Sequence, residues 1–201
     1  MNDKTMFNLT YGLFVLTASL DGKDNGCIIN TAGQVTAVPN RISIAVNKSN
    51  FTHDMILASE KFNVSILSEE ADFSIFKRFG FQSGRDVNKF DGYEHAVRGE
   101  NGIYYVTEHL PFPAQIIVTH ELEPGETTLD LGTHTLFIAG VTDMDVLSDI
   151  PSTTYTYYQN HIKPKPLPKT ESEKGVTIWR CRICGYEYKG DVLPDDFICP
   201  I

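Results

Sequence analysis

The sequence predicts a mainly β fold of antiparallel strands with a few short helices, followed by a small cysteine-bearing module. Three observations carry this. About seven short runs rich in β-branched and aromatic residues, punctuated by Gly, Pro, Asn and Asp, fill residues 11–142, the pattern of a barrel or a sandwich. Residues 161–169, HIKPKPLPK, carry prolines that prevent sheet pairing and favour extended polyproline geometry. Three of the four cysteines (Cys181, Cys184 and Cys199) crowd into the last twenty-one residues, a metal-site spacing rather than a disulfide framework.

Length and charge narrow the classes. A chain of 201 residues holds one ordinary domain and a small appendage. Net charge is −9 and the pI about 5.1, so a phosphate backbone is repelled and no nucleic-acid partner is expected. No apolar run approaches the eighteen or so residues of a membrane span, so no membrane partner is expected. The opening MNDKTMFNLTYG has no long apolar stretch, so no signal peptide is expected either. A reducing cytoplasm is the natural compartment for these thiols.

In chain order, residues 3–9 suit a short helix. Tyr11–Leu20 reads as a strand and Asp21–Gly26 as a turn, with both D-G and N-G dipeptides. Cys27–Val38 returns as one strand broken at Gly33, which marks a bulge or a close backbone approach. Pro39-Asn40 turns the chain into a third strand, Ile42–Asn47. Phe51–Lys61 reads as a helix capped by Asn50 or Thr52. Phe62–Leu67 is a strand, Asp72–Phe79 a short amphipathic helix, and residues 80–92 a polar, glycine-bearing loop. Residues 102–107, 114–123 and 132–142 complete the strands. A linker is expected over 163–176; at about 3.1 Å per residue, about a dozen residues span roughly 40 Å.

Two loops hold chemistry. NKSNFTH runs from the third strand into a helix, whose N-terminus presents unpaired N–H groups and a positive dipole end. Lys48 adds charge there, and Ser49, Asn50 and Thr52 add donors. The functional reading is a phosphate cradle; the alternative is a helix cap beside a solvated lysine. FGFQSGRDVNKF offers Ser83, Arg85 and Lys89, with Gly84 allowing close backbone approach. Alone it reads as a solvent loop; two donor-rich loops in one β domain point to a shared anionic ligand. Asn30, Thr31 and Gln34 interrupt an apolar strand pair and either bond the edge of a heterocycle or face outward. Cys27 reads as a small buried residue. No G-x-G-x-x-G, Walker or G-x-S-x-G motif occurs, and the six histidines show no ligand spacing. No catalytic acid or base is assigned.

Cys181 and Cys184 form a C-x-x-C knuckle, and Cys199 opens a second one. Four thiolates on two tight turns close a tetrahedral shell around iron or zinc. The chain ends at Ile201, one residue short of where a fourth cysteine is expected; the natural chain is expected to continue with Cys-Gly and a short tail. Trp179, Tyr186, Tyr188 and Phe197 supply an aromatic core for a module too small to fold without metal. Spacing alone does not separate an iron centre from a structural zinc ribbon.

The string WRCRICGYEYKGDVLPDDFICP resembles rubredoxin, in the shortened form found in fused proteins. Residues 1–162 resemble the flavin reductase family with its FMN-binding split barrel, through YGLFVLTA, NGCIINTAGQVT, RISIAVNKSNFTHDMI, FNVSIL, FGFQSGRDVNKF, LGTHTLFIAGVTD and YTYYQNHIKPKP. The pairing of this domain with a module over 177–201 resembles the high-molecular-weight rubredoxins. The resemblance implies a homodimer with FMN near its interface and NAD(P)H as a transient hydride donor. It implies an iron at Cys181, Cys184 and Cys199 that passes electrons to an acceptor such as a flavodiiron oxygen or nitric oxide reductase. Carried over, Asn47, Lys48, Asn50 and Thr52 match the FMN phosphate and ribityl segment. Asn30, Thr31 and Gln34 match the stretch along the isoalloxazine, and Ser83, Arg85 and Lys89 the loop over the phosphate end. A diffusible flavin reductase with a zinc ribbon, or a ligand-binding protein without enzymatic activity, is the alternative.

Overall fold

The computed structural model describes residues 5, 9–107, 115–119, 127–164, 178–180, 187–190 and 192. The chain divides into two compact units, Met1–Ile162 and Lys163–Ile201.

The first unit is built on β1 (Phe14–Leu20), which is buried on both faces. Leu16 and Ala18 enter one core while Val15 enters another, so the strand reads as an almost unbroken apolar run. Its two-residue turn needs positive φ at Asp21 (51°) and Gly22 (76°), as a tight hairpin does, and Leu20 faces Lys23 directly. β2 therefore begins at once (Lys23–Ile29). The expected turn at Asp24–Gly26 is absent: Asn25 and Gly26 are strand residues, and Asn25 is only 2% exposed. A side chain at position 26 would lie 3.0 Å from the Phe79 ring, so glycine there lets a helix approach the strand closely.

The single strand expected over Cys27–Val38 is two. After Ile29 the chain leaves one sheet and enters another as β3 (Gly33–Ala37), so Gly33 starts a strand rather than bulging one. The bulge falls between Gln34 and Thr36. β4 (Asn40–Asn47) alternates buried Ile42, Ile44 and Val46 with half-buried residues. α1 (Phe51–Ser59) follows Asn50 and ends at Glu60, whose left-handed φ of 58° turns its N–H to the Ile56 carbonyl.

β5 (Lys61–Ile66) pairs with β1, and α2 (Phe73–Gly80) is capped by Asp72, which accepts from the Ser74 N–H at 2.8 Å. Then come β6 (Ala96–Arg98), β7 (Tyr104–Val106), β8 (Gln115–Thr119), β9 (Thr128–Asp130), β10 (His134–Gly140) and β11 (Asp143–Asp145). β6, β9 and β11 were not expected: each is three residues long, too short to show a period. α3 (Tyr155–Tyr157) continues into a π-helical turn, Tyr158–Ile162. The helix expected over 3–9 lies largely outside the described residues.

All pairings are antiparallel. One sheet runs β11-β8-β5-β1-β2, the other β3-β4-β10-β9, and β6-β7 is a separate ribbon. The two large sheets share a core of Leu16, Ile44, Val46, Phe62, Val64 and Phe137, into which α1 sets Met55 and Ile56. This is the split-barrel arrangement the sequence implied. On the other face of β1 and β5, α2 packs Ile75, Phe76 and Phe79 against Val15 and Val106. That face also buries Asn63, whose amide donates to the Ile103 carbonyl at 2.9 Å and accepts from Asn101 at 2.6 Å. FNVSIL is thus apolar toward the barrel and polar toward the β6–β7 ribbon.

In the second unit, β12 (Ile178–Arg180) pairs with β13 (Glu187–Lys189), and the Trp179 indole N–H donates to the Gly190 carbonyl at 3.0 Å. Cys181, Cys184 and Cys199 lie outside the described residues, as does the linker beyond 164. Among the described residues no helix is long and apolar enough to cross a membrane.

Leu16 is fully enclosed where both sheets meet. Leu16→Ala is expected to cost about 2–5 kcal/mol, read as a lower denaturant midpoint with an unchanged slope.

Candidate functional site

The start of α1 gathers the cationic side chains. The turn before it is set by Asn47, whose Oδ1 accepts from the Ser49 N–H at 2.9 Å and the Ser49 hydroxyl at 2.8 Å. Asn50 occupies the cap position with extended backbone, and its side chain makes no capping bond. Lys48 donates to the Asp130 carboxylate at 2.6 Å, tying the turn to β9. That lysine first, and then the Gly132 N–H, hold the Asp130 carboxyl below its usual range.

Arg85 reaches the same helix from the other loop. Its Nη2 donates to Asp54 Oδ2 at 2.6 Å, and its guanidinium carbon stands 5.0 Å from the Phe51 ring centroid. The two donor-rich loops therefore do meet. The backbone of the second loop is held in three ways. The Ser83 hydroxyl accepts from the Arg85 N–H at 3.2 Å. Gly84 lies so close to Asn25 that an added Cβ would sit 2.1 Å from its Oδ1. Lys89 buries its ammonium (3% exposed) and donates to the carbonyls of Gly26 at 2.8 Å and Phe79 at 3.1 Å.

Lys89, which the resemblance assigns to the loop over the phosphate end, is an internal tie of that loop, its ammonium held by two backbone carbonyls. Burial pushes its pKa down to about 8, with the neighbouring Cys27 acting in the opposite sense. Thr52 is also internal: its hydroxyl accepts from the Asn25 amide at 3.0 Å and bonds the Cys27 thiol. Only its backbone belongs to the helix start. Cys27 is buried as expected, and desolvation raises its thiol pKa.

Of the strand residues, Thr31 is committed to β4. Its hydroxyl donates to the Ala45 carbonyl at 2.7 Å and receives the Ala45 N–H at 3.2 Å. This pins the β2–β3 crossing beside the turn that carries Asn47. Gln34 is exposed and donates to Asn40 at 3.0 Å. Asn30 is half-buried at the crossing. His134, at the end of β10, pairs across from Asn47.

The arrangement suits an anion. Two cations from separate loops flank a helix N-terminus. Beneath, Asn25 Oδ1 is buried against Gly84 without a partner among the described residues; as an acceptor it packs the loop and does not bond an anion. The two cations and the helix N–H groups fit a terminal phosphate. Sequence reasoning missed Asp54, Asp130, His53 and Asn25. The acids are separated by 31 and 82 residues from their cations, so no local pattern joins them. Among the described residues no cluster of His, Cys, Asp or Glu could hold a metal.

Comparison with known proteins agrees with this fold. This chain belongs to the flavin reductase-like domain family, whose model matches residues 6–165. The family resemblance read from the barrel motifs is met, and with it the class of enzyme, a flavin-dependent reductase. The chain is similar to the high molecular weight rubredoxin of Moorella thermoacetica, 34% identical over 227 residues that take in 100% of this chain and 95% of that protein. It is also similar to the ferric-chelate reductase (NAD(P)H) of Archaeoglobus fulgidus, 35% identical over 170 residues, covering 85% of this chain and 95% of the other. A solved NADH:FAD oxidoreductase of Streptomyces globisporus C-1027, in complex with NAD and FAD fragments, superposes with a TM-score of 0.63 at 20% identity. That match covers 75% of this chain and 84% of that one, and likens the fold.

Gly84→Ala is expected to push the loop off Asn25 and cost about 1–3 kcal/mol by overpacking, since that amide is buried and tied to Thr52. Urea titration reads it directly; an unchanged midpoint would show that the loop yields freely.

Folding lowers Lys89 from the ordinary 10.5 to about 8, so folding penalises the charged form. The penalty is complete below about pH 8, shrinks as pH rises to the unfolded value, and is gone above it. Wild type should therefore gain stability with pH across that window relative to Lys89→Met, by at most about 1.4 kcal/mol per unit. Parallel pH curves for the two proteins would contradict this.

Proposed function

We propose that this chain is an FMN-dependent oxidoreductase that passes electrons from NAD(P)H through FMN to a rubredoxin-type iron centre and on to a partner protein. The observation that carries the flavin half is the convergence of Lys48 and Arg85 at the start of α1. Lys48, Arg85 and the first-turn N–H groups hold the phosphate, with Asn47 and Asn50 beside the ribityl chain. Thr31 fixes the crossing that carries Asn30 and Gln34 along the ring system. Bound there, FMN supplies two-electron acceptance from the nicotinamide and one-electron release. The chain's own part is to bind and orient it, and no acid or base is required of the side chains.

The second half rests on likeness over the whole chain to a high molecular weight rubredoxin. Cys181, Cys184 and Cys199, with a fourth ligand, form the iron site in this reading. The β12–β13 pairing supports it, because Cys181 and Cys184 lie in the connection between those strands. The domain division into 1–162, a linker at 163–176 and a module at 177–201 belongs to the same proposal. So do a homodimer, a cytoplasmic setting, and a flavodiiron-type acceptor.

A spectrum of the full-length protein should show flavin bands together with an iron–thiolate signature. NADH should bleach the iron signal only when the flavin site is filled. Lys48→Ala and Arg85→Ala should each weaken FMN binding about 10- to 100-fold, the worth of a charged hydrogen bond. Unchanged affinity in both would remove the phosphate assignment; flavin with zinc in place of iron would leave a reductase without the electron outlet.

A further inference from the structure

Behind Arg85 runs a line of contacts that a simple phosphate ligand does not need. The Thr135 hydroxyl on β10 meets His53 Nε2 at 2.9 Å. His53 Nδ1 meets Asp54 Oδ1 at 3.1 Å, and Asp54 Oδ2 receives Arg85 Nη2 at 2.6 Å. The line starts in the core and ends at the surface. Thr135 is 7% exposed and His53 5%, while the Arg85 side chain is 49% exposed.

Each link fixes the next. A carboxylate only accepts, so Nδ1 of His53 carries a proton and donates to Asp54. In the neutral ring Nε2 then accepts from Thr135, which sets the tautomer. The ring is further held edge-on against Phe137, with centroids 5.8 Å apart. Asp54 uses one oxygen for His53 and the other for Arg85, so its plane is held from both ends. Arg85 is seated on one edge by Asp54 and on one face by Phe51, and its remaining donors have no side-chain partner among the described residues. The Lys48–Asp130 pair lacks such backing: the Asp130 side chain is 72% exposed, and among the described residues it is otherwise met by the Gly132 N–H at 2.7 Å. An isolated surface pair contributes little, whereas a carboxylate held by a buried imidazole presents its partner in one geometry.

We infer that Thr135, His53 and Asp54 form a positioning relay that presets Arg85 for the terminal phosphate of the flavin, and so governs discrimination between FMN and riboflavin. This rests on the reading of Arg85 as a phosphate ligand. The relay removes rotamer freedom from Arg85 before the ligand arrives, which is where preorganisation gains affinity. It acts only on the ligand that carries a phosphate.

The test is fluorescence titration of flavin-free, full-length protein with FMN and with riboflavin. The variants are Asp54→Asn, Arg85→Met, the double variant and Thr135→Val, with thermal midpoints as a check on folding. Asp54→Asn should weaken FMN about tenfold while shifting riboflavin by less than about twofold. The double variant should bind FMN no more weakly than Arg85→Met, because the two residues act as one unit. Thr135→Val should shift FMN in the same direction by a smaller factor. The relay is overturned if Asp54→Asn leaves FMN binding unchanged or tighter, if it weakens both ligands alike, or if the single losses add in the double variant. Should Arg85→Met fail to narrow the gap between FMN and riboflavin, the phosphate reading falls and the relay with it. A gap that closes in Arg85→Met but not in Asp54→Asn overturns the relay alone.

Discussion

The site depends on one buried ammonium. Lys89 lies inside the protein and donates to the carbonyls of Gly26 on β2 and Phe79 near the end of α2. Burying that charge is unfavourable, and the two carbonyls offset the loss of water only in part, as the depressed pKa of about 8 records. The return is positional. With Lys89 fixed at one end and Gly84 pressed on Asn25 at the other, the intervening loop has little freedom. Arg85 is therefore delivered to the first turn of α1 by the fold and not by its own contacts alone. The same glycine logic recurs at Gly26, where a missing side chain lets α2 come close enough for the Phe79 carbonyl to reach the lysine.

That constraint explains what was readable in the sequence and what was not. The alternation of ISIAVN, the apolar run of FVLTASL and the shift of period at Phe51 are local signals. Local signals sufficed for β1, β4, β5, α1 and α2. The convergence of two polar loops was legible because both are dense in donors. The role of Lys89 was not: a lysine in a polar loop reads as solvated, and only the approach of α2 to β2 makes it internal. Asn25-Gly26 misled for a related reason. Asn-Gly is a strong turn signal, but Asp21-Gly22 had already closed the hairpin, which left Asn-Gly to serve as a buried amide and a close-approach glycine. Pairs such as Lys48–Asp130 cross from β4 to β9 by topology, and no sequence window contains them.

Electrostatics gives the site its character. Each cation at the helix start already faces a carboxylate, Lys48 with Asp130 and Arg85 with Asp54. Four charges thus cancel locally in a chain of net charge −9, so the pull on an incoming anion is short-ranged and comes from directed donors more than from a broad positive field. A site of this kind selects by geometry. In the proposed site a phosphate would meet the N–H groups of α1 and the open donors of Arg85. Such an arrangement is compatible with a flavin that is bound specifically without a large electrostatic well.

The proposed division of labour between the two units follows the same economy of side chains. In the proposed enzyme the barrel binds and orients the flavin, and the hydride chemistry resides in the flavin itself. A second group in that proposal, held by thiolates, takes the single electrons that the flavin releases. Thiolates at Cys181, Cys184 and Cys199 have the ligand softness for iron, and attachment to the same chain raises the exit's effective concentration near the flavin far above that of a free carrier. In the proposed enzyme the tether is then a kinetic element.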